Sequence, residues 1–174
     1  MRNKNILALL KGGDRRSIGR ADRVAGIVAK EPKLFSELIK GLWAENSLVR
    51  MRAADAAEKV TRSKPELLKT YRKELLGLMA ETEEQEVRWH LAQMAPRIAT
   101  TARERQAAAA ILRKYLEARS SIVRTFALQG LAELARDESS LQPKVVEILH
   151  QANRTGTAAM RARARMLLRE MEKE

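Results

Sequence analysis

The sequence predicts an all-α protein, built as a right-handed superhelix of about five stacked helical hairpins. Three observations carry this. The 174 residues are 45% hydrophobic and only 3% aromatic, and they are rich in Ala, Leu, Glu, Arg and Lys, the side chains that lose least on entering a helix. Runs of β-branched residues with period-two alternation are missing, which leaves strands without a home. One amphipathic segment also recurs at near-constant spacing, the mark of units that bury their apolar faces only by stacking.

The recurring segment comes in four copies. Asn46–Ala54, Glu84–Ala92 and Ser120–Leu128 align on a polar entry, a Val-Arg step and an Ala-rich run, and Thr157–Arg165 is a weaker copy. The Val or Met falls at 49, 87, 123 and 160, in steps of 38, 36 and 37 residues. At about 100° per residue, Val49, Ala53, Ala56, Ala57 and Val60 lie on one helical face. Val87, Leu91, Met94, Ala95 and Ile98 repeat the same offsets, as do Val123, Ala127, Gly130, Leu131 and Leu134. Met160, Ala164, Leu167, Leu168 and Met171 do so again. Upstream, Ser17, Ala21, Val24, Ala25 and Val28 form a fifth copy, with one deletion before Pro32. These are the second, or B, helices of the hairpins.

Between them run amphipathic A helices. Pro32–Leu42 matches Pro65–Leu75, each opening with a proline whose fixed φ and missing N–H suit a first helical turn. Two more are expected over residues 101–118 and 139–153, and residues 3–11 form a short first one. Connections of a few polar residues force antiparallel hairpins. The hairpins span approximately residues 1–30, 31–63, 64–100, 101–137 and 138–174, a single domain. Pro96 should kink or end its helix. Trp43, beside Leu38, Ile39 and Leu42, is expected in the core.

The Val-Arg step inside an Ala-rich second helix, repeated every 36 to 38 residues, resembles the HEAT repeat, and nearly the whole chain shares in that resemblance. It implies an armadillo-like α-solenoid that works as a scaffold, with the B helices lining a concave face. HEAT repeats often carry an Asp in the turn before Val-Arg, whereas Asn46, Glu83 and Ser120 stand in these turns. The repeated Arg50, Arg88, Arg124 and Arg161 lie on the shoulder of the core face and are read as structural, bridging repeats or covering apolar edge with their stems.

The net charge is +12, and residues 1–30 alone carry +6. A basic end attracts nucleic acid, acidic proteins or anionic lipid. With no cysteine, disulfides, thiolate metal sites and a cysteine nucleophile are excluded. The two histidines, His90 and His150, lie far apart, so no metal cluster stands out, and Gly12-Gly13 reads as a turn. No cofactor is expected. The apolar stretch Ile6–Leu10 is too short for a signal sequence or a membrane span, which points to a cytoplasmic protein.

The same offsets name the candidate partner-binding surface. Met51 and Trp89 sit two residues after the reference, about 200° from it and so opposite the core. Arg52, His90 and Phe126 follow at three, Asp55, Gln93 and Gln129 at six, and Lys59 and Arg97 at ten. The first B helix adds Arg20 and Arg23. Trp and Arg are enriched at binding hot spots. Phe126, on a flank, is expected between repeats, and Arg161, Arg165 and Arg169 as a solvated ridge. The chain also resembles, more weakly, the HEAT-like DNA-alkylation-repair glycosylases, which pair a Trp with an Asp one helical turn later. Here Gln93 follows Trp89, and an amide lacks the charge an oxocarbenium-like centre requires; Asp55 is the only carboxylate placed as a substitute. The expected function is therefore non-enzymatic, a scaffold for an acidic protein or peptide. The alternative is nucleic acid, with Arg20, Arg23, Arg52, Lys59, Arg62 and Arg97 on phosphates and Trp89 stacked on a base.

Overall fold

The computed structural model describes residues 5–14 and 16–173. Among them it contains ten α-helices, four short 3-10 turns and no strand, so the chain is all-α. It divides into two compact units, Met1–Thr70 and Tyr71–Glu174.

The first unit holds α1 (Ile6–Leu9), α2 (Ala21–Lys30), α3 (Phe35–Lys40) and α4 (Ser47–Ser63). The helix expected over 3–11 is a single turn, and residues 3 and 4 lie outside the described residues. The first B helix begins at Ala21, later than the pattern suggests, because Gly19 takes a positive φ of 56° and holds Ser17–Gly19 in a turn. Pro32 opens a 3-10 turn ahead of α3, and a second 3-10 turn, Gly41–Trp43, ends that helical stretch. The tighter winding rotates Trp43 off the face of Leu38, Ile39 and Leu42. Trp43 is 50% exposed and is not a core residue. α4 packs against both α2 and α3.

In the second unit, α5 (Arg72–Glu81), α6 (Gln85–Ile98), α7 (Ala102–Tyr115), α8 (Ser121–Asp137), α9 (Gln142–Thr155) and α10 (Ala158–Met171) follow one another. The helix expected over 65–75 is displaced. Pro65–Leu68 is a 3-10 turn belonging to the first unit, and α5 starts only after Thr70-Tyr71, residues that resist helix more than the Leu and Glu flanking them. Sequential helices pack as hairpins, and α8 also contacts α6 and α10, so the B helices of this unit lie side by side.

In three of the four recurring segments the polar entry is a helix cap, and Glu84 before α6 makes no such bond. Asn46 accepts from the N–H groups of Leu48 and Val49 at 2.9 and 3.3 Å, Ser120 from Val123 at 3.4 Å, and Thr157 from Met160 at 3.4 Å. Each stands three residues before the Val or Met of its repeat and satisfies donors a helix start leaves open. Thr101 and Glu104 form a capping box at α7.

The apolar offsets are buried as the periodicity requires. Val49, Ala53, Ala56, Ala57 and Val60 are core, as are Val87, Leu91, Met94, Ala95 and Ile98, and Val123, Ala127, Leu131 and Leu134. Ser17 is exposed, and Leu168 and Met171 near the end of α10 are only half-buried. Pro96 does not stop α6, which continues to Ile98. Lacking an N–H, it cannot bond the Ala92 carbonyl one turn back. That carbonyl faces Gly130 of α8, where an added Cβ would lie 2.6 Å from the oxygen.

Candidate interaction surface

The column of residues expected to face outward splits in the folded chain. Arg52 is 1% exposed and belongs to the interior. Its Nη1 donates to the carbonyls of Leu10 and Gly12 at 2.8 and 2.5 Å, Nη2 to those of Asp14 and Ser17 at 3.0 and 3.2 Å, and Nε to Ser17 at 3.3 Å. All five guanidinium donors are thus used on the carbonyls of one loop. The loop can close because Gly12, Gly13 and Gly19 take positive φ, and a Cβ at Gly19 would stand 2.7 Å from the guanidinium carbon. Arg52 therefore cannot contact a partner. Of that loop the sequence marked only Gly12-Gly13 as a turn, and nothing in it pointed to Arg52.

Met51 and Asp55 are also buried, at 8% and 7% exposure, and so is Thr125. An isolated helix has one buried stripe, but α4 is enclosed on more than one side, and eleven of its seventeen residues are buried. The Asp55 carboxylate meets Lys59 Nζ at 2.8 Å, and Lys59 also reaches Asp22 of α2 at 2.5 Å. Burial pushes the Lys59 ammonium down, yet hydrogen bonds to Asp22 and Asp55 and their charges outweigh it and hold its pKa above the usual lysine value. Asp55, so engaged, is not the free carboxylate a glycosylase reading needs. Arg62 pairs with the buried Glu58 at 2.6 Å.

In the second unit Trp89 is half-buried, its ring 5.5 Å from that of His90, and the Gln93 amide donates to the Trp89 carbonyl at 3.2 Å. His90, Gln93 and Arg97 are half-buried as well. Phe126 and Gln129 link α8 to α10: the Arg163 guanidinium lies 5.6 Å from the Phe126 ring centroid and donates to Gln129 Oε1 at 2.7 Å. Phe126 and Gln129 are thus both engaged between α8 and α10. Arg136 pairs with Glu170 across the same two helices at 2.7 Å.

Arg20 and Arg23 remain exposed, at the start of α2, with Lys30 exposed two turns further along that helix. Arg16 and Ile18 of the Arg52-held loop are exposed too, Ile18 at 48%. Arg161, Arg165 and Arg169 are exposed on α10. Among the described residues no helix is long and apolar enough to cross a membrane.

No family model matches the chain, and no curated protein or solved structure does so.

Proposed function

We propose that the chain is a non-enzymatic, HEAT-like scaffold that binds an acidic protein or peptide, with Arg20 and Arg23 as its charged contacts. The repeat reading rests on caps and buried offsets that recur in register and on B helices packed against one another within each unit. The choice of partner rests on one observation: three of the six cations expected on the B-helix face, Arg52, Lys59 and Arg62, already have partners within the protein. Arg52 holds a loop, Lys59 bridges two aspartates, Arg62 pairs with Glu58, and Arg163 engages Gln129. A phosphate stripe needs a row of free cations to release counterions, and at least half of this row is occupied. Arg20 and Arg23, exposed beside Ile18, suit a shorter ligand in which carboxylates flank an apolar residue.

Fluorescence anisotropy with labelled probes tests this. A peptide of alternating Glu and Leu should bind saturably near 0.15 M salt, and Arg20→Glu with Arg23→Glu should abolish that binding. A single-stranded oligonucleotide should bind only weakly. Tight, sequence-tolerant oligonucleotide binding at that salt, lost in the same double variant, would establish the nucleic-acid reading instead.

A further inference from the structure

The repeated arginine after each Val has a consistent task in two hairpins. Arg50 Nη1 donates to the carbonyls of Ala44 and Glu45, six and five residues earlier, at 2.5 and 2.8 Å. Arg88 Nε donates to the Thr82 carbonyl, again six residues earlier, at 2.7 Å, and its Nη2 pairs with Glu83 at 2.8 Å. Arg88 is also covered from the next hairpin: its guanidinium lies 5.1 Å from the centroid of the Tyr115 ring. Tyr115 is 3% exposed, and its hydroxyl donates to the Met79 carbonyl at 2.6 Å.

Arg124, the next in the series, departs from this. Its Nε is buried and has no hydrogen-bond partner among the described residues. The residue at the covering position differs as well. Tyr115 stands eight positions before Val123, and eight positions before Met160 stands Ala152. A phenol is replaced by a methyl group, and a cavity of about 250 Å³ lies beside that alanine, bordered by Arg124, Leu116, Leu128, Ile148 and Met160 and by the polar Gln151 and Thr155.

We propose that this cavity binds a carboxylate carried on a short aliphatic chain. A guanidinium presents a planar fork of donors that matches a carboxylate, while Leu116, Leu128, Ile148 and Ala152 supply walls for an apolar body, with Gln151 and Thr155 as further polar groups on the rim. At roughly 30 Å³ per water-sized group, the volume holds about eight such groups, the size of a hexanoate ion or of a C-terminal leucine. The ligand is thus either a free short-chain acid or the carboxyl end of a polypeptide with an aliphatic last residue.

Calorimetric titration of the full chain distinguishes these. Hexanoate and a pentapeptide ending in a free Leu carboxylate are the probes, with hexanamide and the amidated peptide as controls. At least one acid should bind saturably with one site per chain, and its amide at least tenfold more weakly. If the peptide is the tighter of the two acids, the ligand is a chain terminus; the reverse order assigns a free acid, and both orders sustain the site. Arg124→Met, which keeps the stem and removes the charge, should weaken binding at least tenfold. Ala152→Tyr should abolish it by restoring the missing ring, and Ala152→Val, should the larger residue prevent folding, should weaken it. The proposal fails if neither acid binds saturably, or if binding is unchanged in Arg124→Met.

Discussion

Replacing Arg52 tests how the first unit is held together. Its guanidinium spends all five donors on four carbonyls, those of Leu10, Gly12, Asp14 and Ser17, at 2.5 to 3.3 Å. A hydrogen bond to a charged group contributes about 1.5–3 kcal/mol, but the five share one loop and do not add. Once released, residues 11–20 can turn their carbonyls to water, which limits the penalty. Arg52→Ala should therefore cost about 3 kcal/mol, the upper end of the range for a single charged hydrogen bond. Arg52→Lys should recover only part of this, because three donors on one nitrogen cannot span carbonyls that a planar fork reaches together. Urea unfolding followed by circular dichroism measures the loss, and trypsin cleavage after Arg16 or Arg20 reports whether the loop has detached. Arg23→Ala, at an exposed position in the same unit, is the control and should change stability by no more than about 0.5 kcal/mol. If Arg52→Ala matches that control in stability and cleavage rate, the guanidinium does not organise the loop.

Gly130→Ala should destabilise the second unit by about 1–3 kcal/mol, because its Cβ would lie 2.6 Å from the Ala92 carbonyl oxygen and 2.9 Å from Leu112 Cδ1; an unchanged melting temperature would show that α6 and α8 can separate freely. Asp55→Ala should cost about 1–3 kcal/mol, since it removes a buried carboxylate from Lys59, and a loss below about 0.5 kcal/mol would return Asp55 to the surface class. Burial pushes the Glu104 carboxyl up, but the N–H groups of Thr100 and Thr101, the Arg72 charge and the Thr100 hydroxyl outweigh it and hold the pKa below the usual glutamate value. A depressed folded pKa gives stability that is present above the ordinary value of about 4.3 and is lost as pH falls through the lower folded value. The stability difference between the native chain and Glu104→Gln, which keeps the cap but not the charge, should thus be present at neutral pH and vanish in acid; a pH-independent difference would remove the charge from the argument.

The amphipathic spacing determined where helices form and which face of each is buried. Val87, Leu91, Met94, Ala95 and Ile98 are core because a 3.6-residue period places them on one stripe of any helix that contains them. Three of the caps were legible too, since Asn46, Ser120 and Thr157, each three residues before its Val or Met, have purely local partners. Local chemistry reaches no further than a turn or two, and the failures begin there. Spacing assigns one buried stripe per helix, while α4 is enclosed on several sides, so Met51, Arg52 and Asp55 moved from the expected surface into the interior. Arg52 bonds to carbonyls 35 to 42 residues away, a separation at which no periodicity connects a cation to a glycine loop. Trp43 turned outward because the chain tightened into a 3-10 turn by one residue. The tyrosine near Arg88 and the alanine near Arg124 stand in plain view in the sequence, yet only the packing of α7 beside α6 and of α9 beside α8 makes one a lid and the other an opening, because the residue near each arginine comes from the next helix in the chain.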